Sequence, residues 1–354
     1  MNHKETLYFI AKCLTISLEA KNRQEIEKQL KSKNIDWDAF VKVSTAHYVF
    51  SALYCNFKRA DFLKYLPADL VEYMKYLTCL NRDRNIQIIK QAYKLNSILL
   101  ENNITPIFLK GTGNLLAGIY EDIAERMVGD IDLILLNEDC SKAISVLREF
   151  GYDKEIPLGL PHRHYPRIIR KDSIAGVEIH KDLLEEKFVK EFNYSFVIKD
   201  IQVINETSVL SYANKLNLSI IANQINDSGF YYKTMALRNA YDVFLLSKKT
   251  NAMAAVNTLD KLTNPLNCFL AVCYEVFNKV DSLEYNTTKK TLNHLKDFNN
   301  QFTNPKVTII HYKIKKSYLL LKFILNIIYK SLTQKVYRVW LFKKLSSLNY
   351  KREG

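Results

Sequence analysis

Asp130, Ile131 and Asp132 open an apolar run that continues through Leu136. In an extended chain, residues two apart share a face. Asp130 and Asp132 therefore project together, while Ile131, Leu133 and Leu135 face the other way. Two carboxylates held side by side repel each other unless a cation sits between them, and a divalent metal ion is the usual solution. A third acid lies in another alternating stretch, 176–183 (GVEIHKDL), where Glu178 and His180 share one face and Val177 and Ile179 the other. Asp130, Asp132 and Glu178 together make an all-oxygen ligand set suited to Mg²⁺, a hard cation. With two such ions, one can lower the pKa of an attacking hydroxyl while the other neutralises charge on a bound phosphate chain. Upstream, Ile107–Leu109 runs into Lys110-Gly111-Thr112-Gly113, read as strand, tight turn and helix start. Glycine lets a phosphate approach the backbone, and the free N–H groups of a helix start favour an anion. Lys110 or Arg126 adds positive charge. A glycine turn before a helix is most often only a turn, and two acids on a strand are most often a solvated edge. Their order, with Glu178-Ile179-His180 downstream, makes the set specific.

The elements that must position these residues follow from hydrophobic periodicity. Helices are expected at 6–30, at 37–57 after an Asp36 cap, and at 69–101 after Pro67. A buried strand at 105–109 leads to a helix at 113–120, a connection carrying Arg126 at 121–128, and the acid-bearing strand at 130–136. A helix follows at 138–149, stopped by Gly151, with weakly alternating strands at 151–156 and 164–171. The stretch 157–166 holds three prolines and reads as a loop. From about residue 208 the pattern is helical, and 281–305, rich in Asn and Thr, reads as a connection or a weakly ordered segment. The expected class is α+β: a small mixed sheet with its helices (102–205), an N-terminal helical region (1–101), a helical region packed on the core (206–280) and a basic helical tail (281–354). His47 reads as a packed or surface histidine. His162 and His164 read as solvated loop residues, since no nearby cysteine supports zinc.

Composition bounds the class. The chain has 354 residues, 48% of them hydrophobic, with only 9 Gly and 7 Pro, which argues against a loop-rich or all-β protein. Six cysteines (Cys13, Cys55, Cys79, Cys140, Cys268 and Cys273) form no CxxC pair, a pattern that suits reduced thiols in the cytoplasm. The N-terminus lacks the continuous apolar core of a signal peptide. The net charge is +14, but 306–354 carries twelve Lys and Arg against Glu353 alone, or +11, leaving +3 for the rest.

At this point the sequence resembles the bacterial uncharacterised nucleotidyltransferase family, a branch of the polymerase-beta-like superfamily. The resemblance rests on LKG (109–111), Tyr120, Arg126, DIDL (130–133), Gly151-Tyr152 and VEIH (177–180), and it covers roughly 35–250. Segments 37–54 and 102–111 are similar to that family's helical N-terminal part, and LRNAYDVFLL (237–246) to its helix with an Arg and an Asp. The resemblance implies transfer of a nucleoside monophosphate from an NTP such as ATP to a hydroxyl, with pyrophosphate released. It implies two Mg²⁺ ions on Asp130, Asp132 and Glu178, and a triphosphate held by Gly111 and Thr112. The stretch between Thr112 and Asp130 is longer than the superfamily pattern but matches the narrower family. His180 contacts nucleotide or metal in this reading, or makes a structural hydrogen bond. Two other classes stay open: a non-catalytic binding or scaffold protein with the same fold, and a toxin-like enzyme that modifies tRNA or a protein.

The tail poses a separate question. Tyr318–Tyr329 is apolar apart from Lys322 and Asn326, and is too short to span a bilayer. Two readings compete: a core helix with basic solvated faces, which is favoured, and an interfacial helix at the inner membrane face. Its lysines and arginines also suit a nucleic-acid acceptor.

Overall fold

The computed structural model describes residues 1–156, 160 and 162–350. Residues 157–159 and 161, within the loop expected at 157–166, and the last four residues of the tail lie outside the described residues. Among the described residues, seven strands form one mixed sheet: β1 (Ile107–Phe108), β2 (Asp130–Ile134), β3 (Lys154–Ile156), β4 (Arg167–Ile169), β5 (Gly176–His180), β6 (Ile201–Ile204) and β7 (Thr207–Leu210). Their order is β3-β4-β5-β2-β1-β7-β6. β2 runs parallel to β5 and antiparallel to β1, and β1 runs parallel to β7. The outer pairs β3–β4, β4–β5 and β6–β7 are antiparallel. Helices flank this sheet, and one buried apolar cluster runs from Leu7 to Phe298 through helices and sheet alike. The α+β class expected from the sequence is borne out.

The β6–β7 hairpin was not expected. Asn205 and Glu206 both adopt positive φ (+47° and +63°), as a two-residue hairpin turn requires. All four residues of β7 are buried, so the strand shows no polar–apolar alternation and reads like the helix after it. Helix boundaries differ as well. The expected helix at 6–30 is two, His3–Cys13 and Ala20–Lys31. That at 37–57 is also two, Trp37–Ala46 and Phe50–Arg59, broken where Tyr48 takes φ +57°. Within 281–305 a helix forms at Lys289–Asn300, capped by Thr288, whose hydroxyl accepts the Thr291 N–H. Its inward face is Thr291, His294 and Phe298, an amphipathic pattern hidden by polar composition.

The long helix Ala68–Glu101 braces the chain leading into β2. Asn81 Nδ2 donates to the Ala124 carbonyl at 2.7 Å, and Asn85 Nδ2 donates to the Ile123 and Arg126 carbonyls at 2.6 and 2.7 Å. Arg82 pairs with Asp122 at 2.6 Å. Two buried asparagines one helical turn apart thus satisfy carbonyls that a loop would otherwise leave unpaired.

The tail forms two helices, Pro305–Thr333 and Lys335–Tyr350. The favoured core-helix reading of 318–329 is overturned. Leu320, Leu321, Phe323 and Leu325 are all exposed, and among the described side chains of Pro305–Thr333 only Ile327 and Ser331 are buried.

Candidate functional site

The site is built on the parallel register of β2 and β5. Asp130 stands opposite Gly176, Asp132 opposite Glu178, and Ile134 opposite His180. Because register partners in neighbouring strands share a face, Asp130, Asp132, Glu178 and His180 gather on one side of the sheet. Ile131, Leu133, Val177 and Ile179 are buried on the other side. The three acids expected to meet do come together.

Cationic side chains hold them. Arg167 on β4 donates from Nη2 to Asp130 Oδ2 at 2.9 Å and to Glu178 Oε1 at 2.8 Å, and from Nε to Glu178 Oε1 at 3.1 Å. Ile168 pairs with Val177, so one step outward on these antiparallel strands Arg167 comes level with Glu178. Gly176 makes room for it. A Cβ there would lie 2.6 Å from Arg167 Cδ and 2.8 Å from Cγ, so the arginine stem occupies the space a side chain would fill.

Lys110 Nζ lies 2.7 Å from Asp132 Oδ1, and His180 Nε2 donates to the same oxygen at 2.8 Å. Burial alone pushes the Asp132 carboxyl up, but Lys110 and His180 outweigh it and hold it well below the usual carboxylate range. Asp130 goes the other way: burial raises it, the charges of Glu178 and Asp132 add to that, and Arg167 only partly opposes them. Burial lowers the His180 pKa and keeps the ring neutral. Its Nδ1 has no hydrogen-bond partner in the interior. One ligand atom each from Asp132, Glu178 and His180 lie within 4.8 Å of one another, a compact oxygen–nitrogen donor set that fits a divalent ion. Asp130 borders this set.

The remaining expected site residues are disposed differently. Lys110 takes φ +47° and begins the helix Lys110–Leu116, so Lys110-Gly111-Thr112 is the first helical turn and not a turn ahead of the helix. Thr112 is fully buried and its hydroxyl donates to the Asp130 carbonyl at 3.0 Å, fixing the start of β2. Gly111 is also buried; a Cβ there would meet a Val128 methyl at 2.9 Å. Arg126 is not gathered with the acids. It pairs in the interior with Asp242 (Nε to Oδ2, 3.1 Å), which also accepts the Tyr120 hydroxyl at 2.7 Å. Tyr120, Arg126 and Asp242, three residues of the resemblance, thus form one buried network.

Arg167 and His164 were missed by sequence reasoning. His164 forms an isolated bridge with His180, and its Nε2 lies 3.9 Å from Glu178 Oε2, while the His162 and His164 ring centroids are 4.1 Å apart. His164 is therefore part of the acidic face's surroundings, not a solvated loop residue. Aligning 164–171 antiparallel to 176–180 would have brought Arg167 level with Glu178 and His164 beside His180.

Comparison with curated proteins and with solved structures gave no match. A family model does match, over residues 33–277, from just before helix Trp37–Ala46 to the end of helix Thr263–Val276. That span contains every strand among the described residues and every residue of the acidic face, and it reaches further downstream than the motifs alone. The chain belongs to the uncharacterised nucleotidyltransferase family.

Proposed function

We propose that this chain transfers a nucleoside monophosphate from an NTP, ATP among them, to a hydroxyl of an acceptor, releasing pyrophosphate. Membership of the family supports nucleotidyl transfer in general. The observation that carries the finer reading is the Asp132–Glu178 register, which holds two acids side by side with Asp130 and His180 at their flanks. Asp130, Asp132 and Glu178 would hold Mg²⁺, with His180 at the edge of the set. When bound, the two ions expected supply charge neutralisation on the phosphates and a lowered pKa for the acceptor hydroxyl.

The chain's own residues have distinct tasks in this reading. Asp132, kept ionised by Lys110 and His180, offers a carboxylate at any pH near neutrality. Lys110 is the cation nearest that carboxylate and the one we assign to the triphosphate, with Gly111 and Thr112 forming the turn that carries it. Thr112 additionally fixes the backbone of Asp130. Arg126 acts through structure: paired with Asp242, it holds the segment that delivers the chain into β2.

Incubating the full chain with labelled NTP, Mg²⁺ and a cell extract tests the proposal. One class of molecule should acquire the label, and Asp130→Asn should abolish labelling without changing the melting temperature. Full labelling by that variant would refute the site assignment. Calorimetry that detects neither NTP nor Mg²⁺ binding would favour the scaffold reading, and label appearing on tRNA or on protein would identify the toxin-like class.

A further inference from the structure

We propose that helix Pro305–Thr333 lies flat on an anionic lipid bilayer and docks the enzyme there. The helix touches the body of the protein along a narrow line. The Tyr312 ring packs on Tyr232 with centroids 4.9 Å apart, Lys315 Nζ donates to the Tyr231 carbonyl at 3.2 Å, and Lys330 pairs with Glu186 at 2.5 Å. On the side turned away from these contacts, Ile310, Ile314, Leu321, Leu325, Ile328 and Leu332 recur at four, seven, four, three and four. That spacing is one face of an α-helix. Each of the six is 46–73% exposed. From Ile310 to Leu332 the stripe runs about 33 Å at the helical rise. A continuous aliphatic stripe of this length on water is not a scatter of single surface residues and marks an interaction surface.

Charge decides what covers it. Between 305 and 350 there are ten Lys and Arg and no Asp or Glu. Lys306, Lys313 and Lys322 are exposed and, by helical spacing, flank the stripe. A second copy of the helix would bring lysine against lysine, with no acidic residue at the flanks to alternate with it. A nucleic acid would answer the charge, and exposed Tyr318 and Tyr329 could stack on its bases, but it would leave the six aliphatic residues in water. An anionic bilayer answers both: acyl chains take the stripe and headgroups take the lysines. Among the described residues, no helix is long and apolar enough to cross a membrane, so the contact is interfacial. This surface is independent of the acidic face on β2 and β5.

The test is co-sedimentation of the full chain with vesicles of phosphatidylcholine alone or mixed with phosphatidylglycerol. The chain should pellet with the mixed vesicles, and roughly tenfold less with neutral vesicles or at high salt. The double variant Leu321→Glu/Leu325→Glu should lose pelleting while keeping the wild-type melting temperature, since both positions are already exposed. The proposal is overturned if the wild type stays in the supernatant with both vesicle types. It is equally overturned if the chain is a dimer that the double variant disperses, or if it is retained only by RNA or DNA.

Discussion

Arg167 clamps Glu178 through two donors on one carboxylate oxygen, Nε at 3.1 Å and Nη2 at 2.8 Å, while Nη2 also reaches Asp130 at 2.9 Å. One guanidinium therefore neutralises two of the three acids proposed to hold metal. A divalent ion and this guanidinium compete for the same carboxylates. Removing the arginine leaves the acids repelling one another and open to the ion. Arg167→Ala should tighten binding of Mn²⁺, used as a spectroscopic probe in the absence of nucleotide, by roughly fivefold to tenfold, about 1 kcal/mol or slightly more. Gly176→Ala should move affinity the same way, because its Cβ would occupy the space of the arginine stem. Electron paramagnetic resonance of free Mn²⁺ measures both. Weaker binding in both variants would mean that Arg167 organises the acids instead of competing for them.

The Arg126–Asp242 pair is structural in this fold, and its removal should show as lost stability. Both side chains are buried, and Tyr120 completes the network. Truncating one partner of a buried, hydrogen-bonded ion pair leaves an uncompensated charge and costs about 3–5 kcal/mol. Arg126→Met should fall in that range by urea denaturation. Arg126→Met combined with Asp242→Leu should cost clearly less than the two single changes added together. If Arg126→Met weakens NTP binding at unchanged stability, the arginine belongs to the nucleotide site after all.

The acids were legible because strand periodicity is local: Asp130 and Asp132 share a face by spacing alone, as do Glu178 and His180. The register that sets Asp132 beside Glu178 is a long-range pairing that local spacing does not specify. Arg167 was illegible because its place depends on how a proline-rich loop returns the chain antiparallel to β5. Arg126 stands out in the sequence as a positive charge near the proposed site, but its partner lies 116 positions away, and spacing says nothing of such a contact. The sheet's far side was missed for a related reason. β7 is buried on both faces and carries no alternation to read. The tail's apolar run matched a core helix in composition, and only the packed structure shows that nothing covers it among the described residues.

Gly113 has a steric role distinct from the turn first expected there. A Cβ at Gly113 would sit 2.5 Å from the Phe108 carbonyl oxygen, a backbone atom that cannot swing aside. Helix Lys110–Leu116 is thereby allowed to lie close against β1. Gly113→Ala should destabilise by about 3 kcal/mol, the upper part of the range for overpacking. Gly111→Ala meets a side-chain methyl at 2.9 Å and should cost less. Comparing the melting temperatures of the two variants checks the order. If Gly111→Ala is the worse of the two, the close approach of helix and strand does not govern this segment.

His47 ties the N-terminal helices to the helix Leu237–Ser247 and should make that junction sensitive to acid. Its Nδ1 accepts the Leu237 N–H at 3.1 Å, which requires an unprotonated ring nitrogen. Burial, with a smaller contribution from His3, lowers its pKa from the usual 6.5 to about 4. The folded-state pKa is below the unfolded one, so the unfolded chain binds the proton more readily over the interval between them. The histidine's contribution is therefore fully present above pH 6.5 and is lost as pH falls from 6.5 towards 4, to a total of roughly 3 kcal/mol. In His47→Gln, whose amide oxygen can accept the same N–H without titrating, the fall in stability between pH 6.5 and 4 should be shallower by about that amount. Urea denaturation of both proteins at pH 7, 6, 5 and 4 gives the comparison. Parallel pH profiles for the two would show that His47 titrates alike in the folded and unfolded chains.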